Sequence, residues 1–400
     1  MNVLVINAGS ATLKYQLINM TNEQAVARGL CDKIGREDSS ITHKTQSHTQ
    51  KYTASFPTHT EAFLELCKLL TGGEHPVIAS LGEISVIGHR AVHGGSRFGE
   101  ATLLTEQVLD DIEGVLDMAP LHNPPMLKAM RTCKEIFPDC VPQVVVFDTA
   151  FHQTMPEKSY TYPIPSQLRE ELKIRKYGFH GTSHRYVSDK AAELIGKPVE
   201  QLKIVTCHLG NGSTVTGIRY GKSIDTSSGF STYDGLLMGT RSGGIDPYIP
   251  TYLQTRKGYT PEQVEDILIR KSGLLGVSEL SSDHRELEEA AAKGNRKAQL
   301  ALDMYAYQIK KFVGAYAVAI GGIDALVFTG GIGENSPLTR ADVCNEMEFL
   351  GVHLDGEINS ATKGRLRDIS THNSPVKVYV IPTNEELMIA RDACTVVGRG

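Results

Sequence analysis

The chain has 400 residues, 40% hydrophobic and 22% charged, with a formal net charge of −5. This is the composition of a globular chain, and the acidic balance excludes the basic bias of a nucleic-acid binder. Seven cysteines (Cys31, Cys67, Cys133, Cys140, Cys207, Cys344, Cys394) are scattered with no C-x-x-C pair, so they read as reduced thiols and not as a disulfide framework or zinc site. The N-terminus lacks the regions of a signal peptide, and no apolar stretch reaches the roughly 20 residues of a membrane helix. A cytoplasmic protein of two domains, at roughly 100–200 residues each, is expected.

Residues 1–17 run from an apolar β-branched stretch through a tight turn into alternating strand residues, which predicts a hairpin. A tip containing Gly9 and Ser10 exposes backbone N–H groups with no bulky side chain in the way, which suits a phosphate. Residues 39–53 are polar and alternating and predict an exposed antiparallel hairpin. Thr58 and Glu61 form a capping box ahead of Phe63, Leu66 and Leu70. Residues 85–87 predict a strand, after which Gly88 to Gly95 reads as a glycine-rich loop carrying Arg90. Residues 144–147 predict a buried strand that ends at Asp148, where ligands bind in open α/β sheets; a helix cap or turn is the alternative.

Tyr177 to His184 is a glycine-containing turn opening a helix whose Val187, Ala191, Leu194 and Ile195 keep helical spacing until Gly196 and Pro198. His180 reads as a donor to an oxyanion or as a capping residue. The i, i+4 pairs His180/His184 and His89/His93 admit a metal reading, but they lie in glycine turns and lack the acid of H-E-x-x-H. Residues 203–218 repeat the logic of the first hairpin around Gly210, Asn211 and Gly212. Arg241 sits between Gly239 and Gly243, so a planar guanidinium is approachable by phosphate or carboxylate, with a solvated surface role as the alternative. Leu302, Tyr305, Ile309, Phe312, Tyr316 and Ile320 stripe a helix over 298–320. Residues 326–329 predict a strand running into a turn of Gly330, Gly331 and Gly333, open enough for a flat ligand, with a tight strand-to-helix connection as the alternative. After a last strand at 376–381, Glu385 and Glu386 open the final helix, either to hold Mg²⁺ beside phosphates or to complement the helix dipole. None of these turns fits a P-loop or a dinucleotide fingerprint.

Strands alternating with helices mean an α/β protein. A glycine-tipped hairpin in each half predicts two related lobes facing one polyphosphate, the ground plan of an ATP-using enzyme with a cleft. The expected division is residues 1–149 with 385–400 as an N-terminal lobe that takes back the C-terminal helix, and 150–384 as a nucleotide-binding lobe.

Taken together, Asn7-Ala-Gly-Ser10 with Lys14, Gly88-His-Arg-Ala-Val-His-Gly-Gly95, Ala119-Pro-Leu-His-Asn123, Phe147-Asp-Thr-Ala-Phe-His152, Tyr177-Gly-Phe-His-Gly-Thr-Ser-His184, His208-Leu-Gly-Asn-Gly212, Met238-Gly-Thr-Arg241, Phe328-Thr-Gly-Gly-Ile-Gly-Glu-Asn335 and Pro382-Thr-Asn-Glu-Glu386 resemble the acetate kinase family from Asn2 to about Arg391. The resemblance implies the fold shared by actin, sugar kinases and heat-shock ATPases: two duplicated mixed-sheet lobes with a nucleotide cleft between them. It also implies a cytoplasmic homodimer without nucleic-acid or membrane partners. The implied reaction is ATP + acetate ⇌ ADP + acetyl phosphate with Mg²⁺, or Mn²⁺ in its place.

By the same resemblance, Asn7, Arg90, Asp148, His180, Asn211, Arg241 and Glu385 fall on active-site positions, Asn7 and Glu385 toward the metal. Lys14, His208, Leu209, Gly210, Asn211 and Gly212 fall on the nucleotide phosphates, Asp283, His284 and Arg285 on the nucleoside, and Gly331, Ile332, Gly333, Glu334 and Asn335 on the adenosine side. Val92, Leu121 and Phe179 fall on a small apolar pocket for the acyl methyl group, beside Arg90 and Thr232. Two departures stand out. Ala11 and Thr12 replace a pair of serines in the first loop, and Ser231-Thr-Tyr-Asp234 stands where Thr-Pro-Leu-Glu is common, which leaves the pocket size open.

A short-chain carboxylate has a pKa near that of Glu, about 4.3, so the acceptor is already ionised and needs no general base. Positioning and electrostatics carry such a transfer. Direct in-line transfer is expected, with a phospho-enzyme as the alternative. Propionate or another short-chain acid is the alternative acceptor. A non-catalytic ATP-driven switch would have no use for Arg90 and Arg241, and a phosphate-dependent metal hydrolase fits less well still.

Overall fold

The computed structural model describes residues 1–72, 74–119 and 122–398. The chain divides into two units, Met1–Ala150 with Asn384–Gly400, and Phe151–Thr383.

In the first unit, Asn2–Ala8 (β1) and Thr12–Asn19 (β2) pair antiparallel across the Gly9 tip. Gln24–Asp32 (β3), Ser40–Thr45 (β4) and Thr49–Thr53 (β5) continue that antiparallel run. The hairpin predicted at 39–53 therefore forms, but it is only half exposed, because Ile41 and His43 turn inward. On the other side of β1 lies Ile84–Ala91 (β6), followed by Thr102–Leu103 (β7) and Gln143–Phe147 (β8). Among the described residues the sheet has eight strands in the order β5-β4-β3-β2-β1-β6-β8-β7, with β1, β6 and β8 mutually parallel. The helix His59–Thr71 opens on the Thr58–Glu61 capping box and buries Phe63, Leu66 and Leu70 in the same cluster as Leu4, Ile6, Leu13 and Leu17.

Strand β6 runs further than its glycines suggest. Gly88, His89 and Arg90 belong to the strand, not to a loop after it, because β6 is bonded on both sides: His89 faces Ile6 of β1 and Arg90 faces Val146 of β8. Gly88 serves packing. A Cβ there would lie 2.7 Å from Ile389 Cγ2 of the C-terminal helix Glu385–Gly398, which lies across the strand.

In the second unit, Lys203–Leu209 (β9) and Ser213–Arg219 (β10) make the second hairpin and Lys222–Thr226 (β11) extends it. Ala325–Thr329 (β12), Arg367–Asp368 (β13) and Lys377–Val380 (β14) complete a sheet ordered β11-β10-β9-β12-β14-β13. The run β3-β2-β1-β6-β8 and the run β11-β10-β9-β12-β14 share one pattern of pairings: two antiparallel, then two parallel. Each unit is thus a mixed α/β sheet on the same plan. The helix Arg296–Ala319 lays Tyr305, Ile309, Val313 and Tyr316 into the cluster of Val205, Cys207 and Val215, each such side chain contributing about 1.5–3 kcal/mol when fully buried. The helix Gly181–Ile195 packs Val187 and Ala191 with Ile204 and Val327, and ends at Gly196, whose φ of 75° lets its N–H reach the Ala192 carbonyl.

Candidate active site

In the first unit, the β1–β2 tip is braced from two directions. Gly9 N–H donates to the Thr12 carbonyl at 2.8 Å, and His59 Nε2 lies 2.8 Å from the Gly9 carbonyl. A Cβ at Gly9 would meet Thr12 Oγ1 at 2.7 Å, so a larger residue there would have to turn that hydroxyl aside. Asn7 stands opposite Lys14 in the hairpin register.

Arg90 and Asp148 meet at the ends of the neighbouring parallel strands β6 and β8. Arg90 Nε donates to Asp148 Oδ1 at 2.9 Å and Nη2 to Oδ2 at 2.7 Å. Burial works against the Arg90 charge, but Asp148, and Glu385 behind it, outweigh burial and hold the guanidinium above its ordinary pKa. Glu385, first residue of the C-terminal helix, is pushed above the usual carboxylate range by burial; Arg90 opposes the rise, Asp148 adds to it and Lys14 opposes it. Glu386 is pushed up by burial as well.

Glu385 Oε1 is buried and, among the described residues, has no hydrogen-bond partner. An orphan buried carboxylate oxygen is relieved by a proton or a cation. A hard oxygen donor of this kind, with the Asn7 amide in the same unit, suits Mg²⁺, which takes one or two carboxylates and fills its other positions with water and phosphate oxygens. Val92 follows β6 and is buried. Leu121 lies outside the described residues.

In the second unit, His180 caps the helix Gly181–Ile195 in the left-handed region, φ 55°, an uncommon conformation for a non-glycine residue. Its ring stacks on His208 at 4.2 Å, and Nδ1 lies 3.0 Å from Thr214 Oγ1. The opposite edge faces the β9–β10 tip: a Cβ at Gly212 would lie 3.3 Å from His180 Nε2 and 3.9 Å from Arg241 Nη1. His208 Nδ1 is 2.8 Å from Ser183 Oγ, which is 2.8 Å from Thr383 Oγ1. His89 and His184 are likewise engaged by protein groups, His89 by Gln143 and both nitrogens of His184 by threonine hydroxyls, which leaves the metal reading of the histidine pairs without support.

Arg241 donates from Nη1 to the Thr232 carbonyl at 2.8 Å and lies 3.6 Å from Met238 Sδ. Burial lowers its pKa, and among the described residues no carboxylate pairs with it. It is a part-buried cation held by neutral groups. Thr232 enters the site through its backbone. Phe179 is buried, its carbonyl 2.9 Å from His152 Nε2.

The tip at Gly210 is held by Ser213, whose Oγ lies 3.2 Å from Gly210 N and 2.7 Å from Tyr305 Oη. Beyond β12 the chain passes directly into a short helix, Gly330–Asn335, so the strand-to-helix alternative holds and the open turn does not form. Gly330 has φ 77°, and a Cβ on it would lie 2.7 Å from the Leu209 carbonyl, so β12 approaches the β9 tip only through glycine. Glu334 turns back to accept the Gly330 N–H at 2.9 Å, which closes that helix on itself.

A cleft of about 880 Å³ lies in this unit, lined by Gly210, Asn211, Asp283, His284, Arg285, Glu288, Glu289, Gly331, Ile332, Asn335, Ser336 and Lys363. Eight of the nucleotide positions taken from the sequence are among them. Gly333 and Glu334 instead support the loop from behind, and Leu209 is wholly buried and offers only its backbone. Lys14 is in the first unit with Glu385. Asp283 caps the helix His284–Ala292 and pairs with Arg285 at 2.7 Å, hydrogen bonds that hold its carboxyl at about 2.

Sequence reading missed Glu288, Glu289, Ser336 and Lys363. Only Ser336 carried a signal, as an N-cap before Pro337. It also missed Arg340, fully buried, which donates to Asn359 Oδ1 and to the carbonyls of Gly333, Glu334, Asn359 and Thr362. That guanidinium, its pKa lowered by burial to about 10, braces the back of the Gly330–Asn335 helix.

Two mixed sheets on one plan, each opening on a glycine-tipped hairpin, make this an α/β protein of the actin-like ATPase fold. The chain belongs to the acetokinase family, whose profile matches residues 2–391. It is 52% identical over 399 residues to an acetate kinase of Dictyoglomus turgidum, covering 100% of this chain and 98% of that one. It is 51% identical over 399 residues to an acetate kinase of Methanosarcina thermophila, covering 99% and 97%. Among solved structures, acetate kinase from Porphyromonas gingivalis matches with a TM-score of 0.94 at 43% identity over 99% of both chains. A propionate kinase from Francisella tularensis matches at 0.92 and 40%, also over 99% of both.

Proposed function

We propose that the chain catalyses reversible phosphoryl transfer between ATP and acetate. A carboxylate oxygen of acetate attacks the γ-phosphorus, the bond to the β–γ bridging oxygen breaks, and ADP leaves with that electron pair. The observation that carries this reading is Arg241, a part-buried cation with no carboxylate partner among the described residues, beside the glycine-tipped β9–β10 hairpin and His180. An uncompensated cation in such a place calls for an anion. Full-length similarity to proteins named acetate kinase supplies the acceptor.

In this reading Arg241 offsets charge on the transferring phosphoryl group and His180 donates to one of its oxygens. Arg90, aimed by Asp148, takes the acetate carboxylate, and the Gly210–Gly212 backbone with Asn211 holds the nucleotide phosphates. Asp283, Arg285, Gly331, Ile332 and Asn335 receive the nucleoside. Val92, Phe179 and the segment at Thr232 are assigned to the methyl group. The acceptor is ionised at neutral pH, so no residue is assigned as its base. Asn7 and Glu385 would hold Mg²⁺, which shields phosphate charge when bound. We assign the enzyme to the cytoplasm and to a homodimer; Tyr248, Ile249 and Tyr252, exposed on a helix with no buried residue, support such an association. Among the described residues no helix is long and apolar enough to cross a membrane.

The structural likeness to a propionate kinase keeps a second acceptor in view. A coupled assay with acetate, propionate and butyrate at saturating MgATP tests the proposal. Acetate should give the highest kcat/KM, and no turnover of any of the three acids would overturn it.

A further inference from the structure

Behind His180 runs a chain of buried hydrogen bonds that the reaction above does not use. His184, one turn along the same helix, has Nδ1 2.7 Å from Thr206 Oγ1 on β9 and Nε2 2.7 Å from Thr214 Oγ1 on β10. The same Thr214 hydroxyl lies 3.0 Å from His180 Nδ1. All three supporting side chains are closed to solvent: Thr206 and His184 are 0% exposed and Thr214 1%.

We propose that Thr206, His184 and Thr214 form a directional relay that fixes the proton of His180 on Nε2, the edge facing Gly212 and Arg241, so that this nitrogen meets the phosphoryl group as a donor. The inference rests on the reading of His180 as the group that touches the transferred phosphoryl. The three residues behind it are positioning residues.

The direction follows from counting hydrogens. Each threonine hydroxyl has one hydrogen to give and a neutral imidazole has one N–H. Burial, with His152 and His208 adding to it, holds the His184 pKa well below its ordinary value, so its ring is neutral. Among the described residues Thr206 Oγ1 has a single partner, His184 Nδ1. Were that nitrogen protonated, the Thr206 hydroxyl hydrogen would be buried with no acceptor, which native interiors avoid.

Thr206 therefore donates to His184 Nδ1, and His184 donates from Nε2 to Thr214. Thr214 spends its one hydrogen on His180 Nδ1, which leaves the His180 proton on Nε2. Every hydrogen in the chain is used. The reverse order would turn the lone pair of Nε2 toward an incoming anion. The two arrangements differ only in which nitrogen of each imidazole carries its hydrogen and in the rotation of the threonine hydroxyls.

The test uses the full chain labelled with ¹⁵N in histidine, since long-range ¹H–¹⁵N spectra separate the two tautomers of neutral imidazole. His180 signals are assigned by their loss in His180→Asn. An Nε2–H pattern is expected in the wild type. Thr214→Val should lose that fixed pattern and lower kcat about tenfold, the worth of one hydrogen bond, with KM for MgATP and acetate changed by less than about twofold. Thr214→Ser, which keeps the hydroxyl, should restore both the pattern and the rate. An Nδ1–H pattern in the wild type overturns the proposal, and that measurement requires no variant to fold. Retention of pattern and rate by Thr214→Val overturns it too. A Thr214→Val that loses the pattern yet turns over at the wild-type rate supports the relay and sinks instead the assignment of His180 to the phosphoryl group.

Discussion

Arg90 and Asp148 are joined by two parallel hydrogen bonds, 2.9 and 2.7 Å long, so the Arg90 fork is aimed by the end of β8 and its charge is largely balanced. Arg241 has no such partner among the described residues; a carbonyl and a thioether hold it. One arginine is oriented and neutralised, while the other keeps its charge for an incoming anion.

Arg241→Ala should therefore lower kcat by about 10³-fold or more, the scale of losing a charge clamp in phosphoryl transfer. Its far-UV spectrum and Tm should stay near wild type, because no ion pair is broken. Arg241→Lys should fail to restore the rate, since an ammonium lacks the planar fork. A lysine variant with near wild-type kcat would refute this role.

Glu385 links function to stability. Its folded pKa is raised by burial, whereas the unfolded chain titrates near about 4.3. The folded state therefore holds this proton more tightly. The associated stability is complete below about pH 4.3 and is lost as pH rises through the folded value. In metal-free buffer, Glu385→Gln should melt above wild type at pH 7 and gain little at pH 4. Added Mg²⁺ should raise the Tm of the wild type more than that of the variant, and the variant should need more Mg²⁺ for activity. Identical melting at pH 7 and an unchanged Mg²⁺ curve would return Glu385 to a first-turn acid serving the helix dipole.

Thr232 bears on acceptor choice. Its carbonyl holds Arg241, and among the described residues its N–H makes no hydrogen bond, so proline there removes none. Thr232→Pro should raise the acetate-over-propionate ratio of kcat/KM, since one methylene in an apolar pocket is worth only about 1–3 kcal/mol and a firmer wall shifts that balance. An unchanged ratio would mean that position 232 does not set acyl specificity.

Gly330 and Gly331 separate fold from ligand. At Gly330 a side chain meets both a φ of 77° and the Leu209 carbonyl at 2.7 Å, so Gly330→Ala should cost about 1–3 kcal/mol of stability and raise KM for MgATP. At Gly331 a Cβ meets nothing within 4 Å. Gly331→Ala should melt near wild type, and any rise in KM there reports the nucleotide itself. Equal melting temperatures for the two variants would contradict the close approach at Gly330.

What the sequence made legible was local. The Thr58–Glu61 box, the stripe on Arg296–Ala319 and both glycine-tipped hairpins are patterns of spacing, and spacing survives folding. Gly88 misled because glycine marks loops and close packing alike, and only the pairing of β6 on both sides and the contact with Ile389 tell them apart. Arg340 was invisible because nothing in a linear string distinguishes a solvated arginine from one that reaches carbonyls 19 and 22 residues away. Lys363 and the threonines behind His184 were missed for the same reason: their partners are set by tertiary packing, not by neighbours in the chain.

The first unit is discontinuous: its sheet is complete by Phe147, yet the helix that fills the space above Gly88 begins at Glu385. On the ribosome, β6 emerges with that face bare and stays so while all of residues 151–383 are made. The contiguous second unit can close its core first. A chain truncated short of Ile389 would carry every residue of the second unit but leave the first unfinished, its strand face at Gly88 without the helix that covers it.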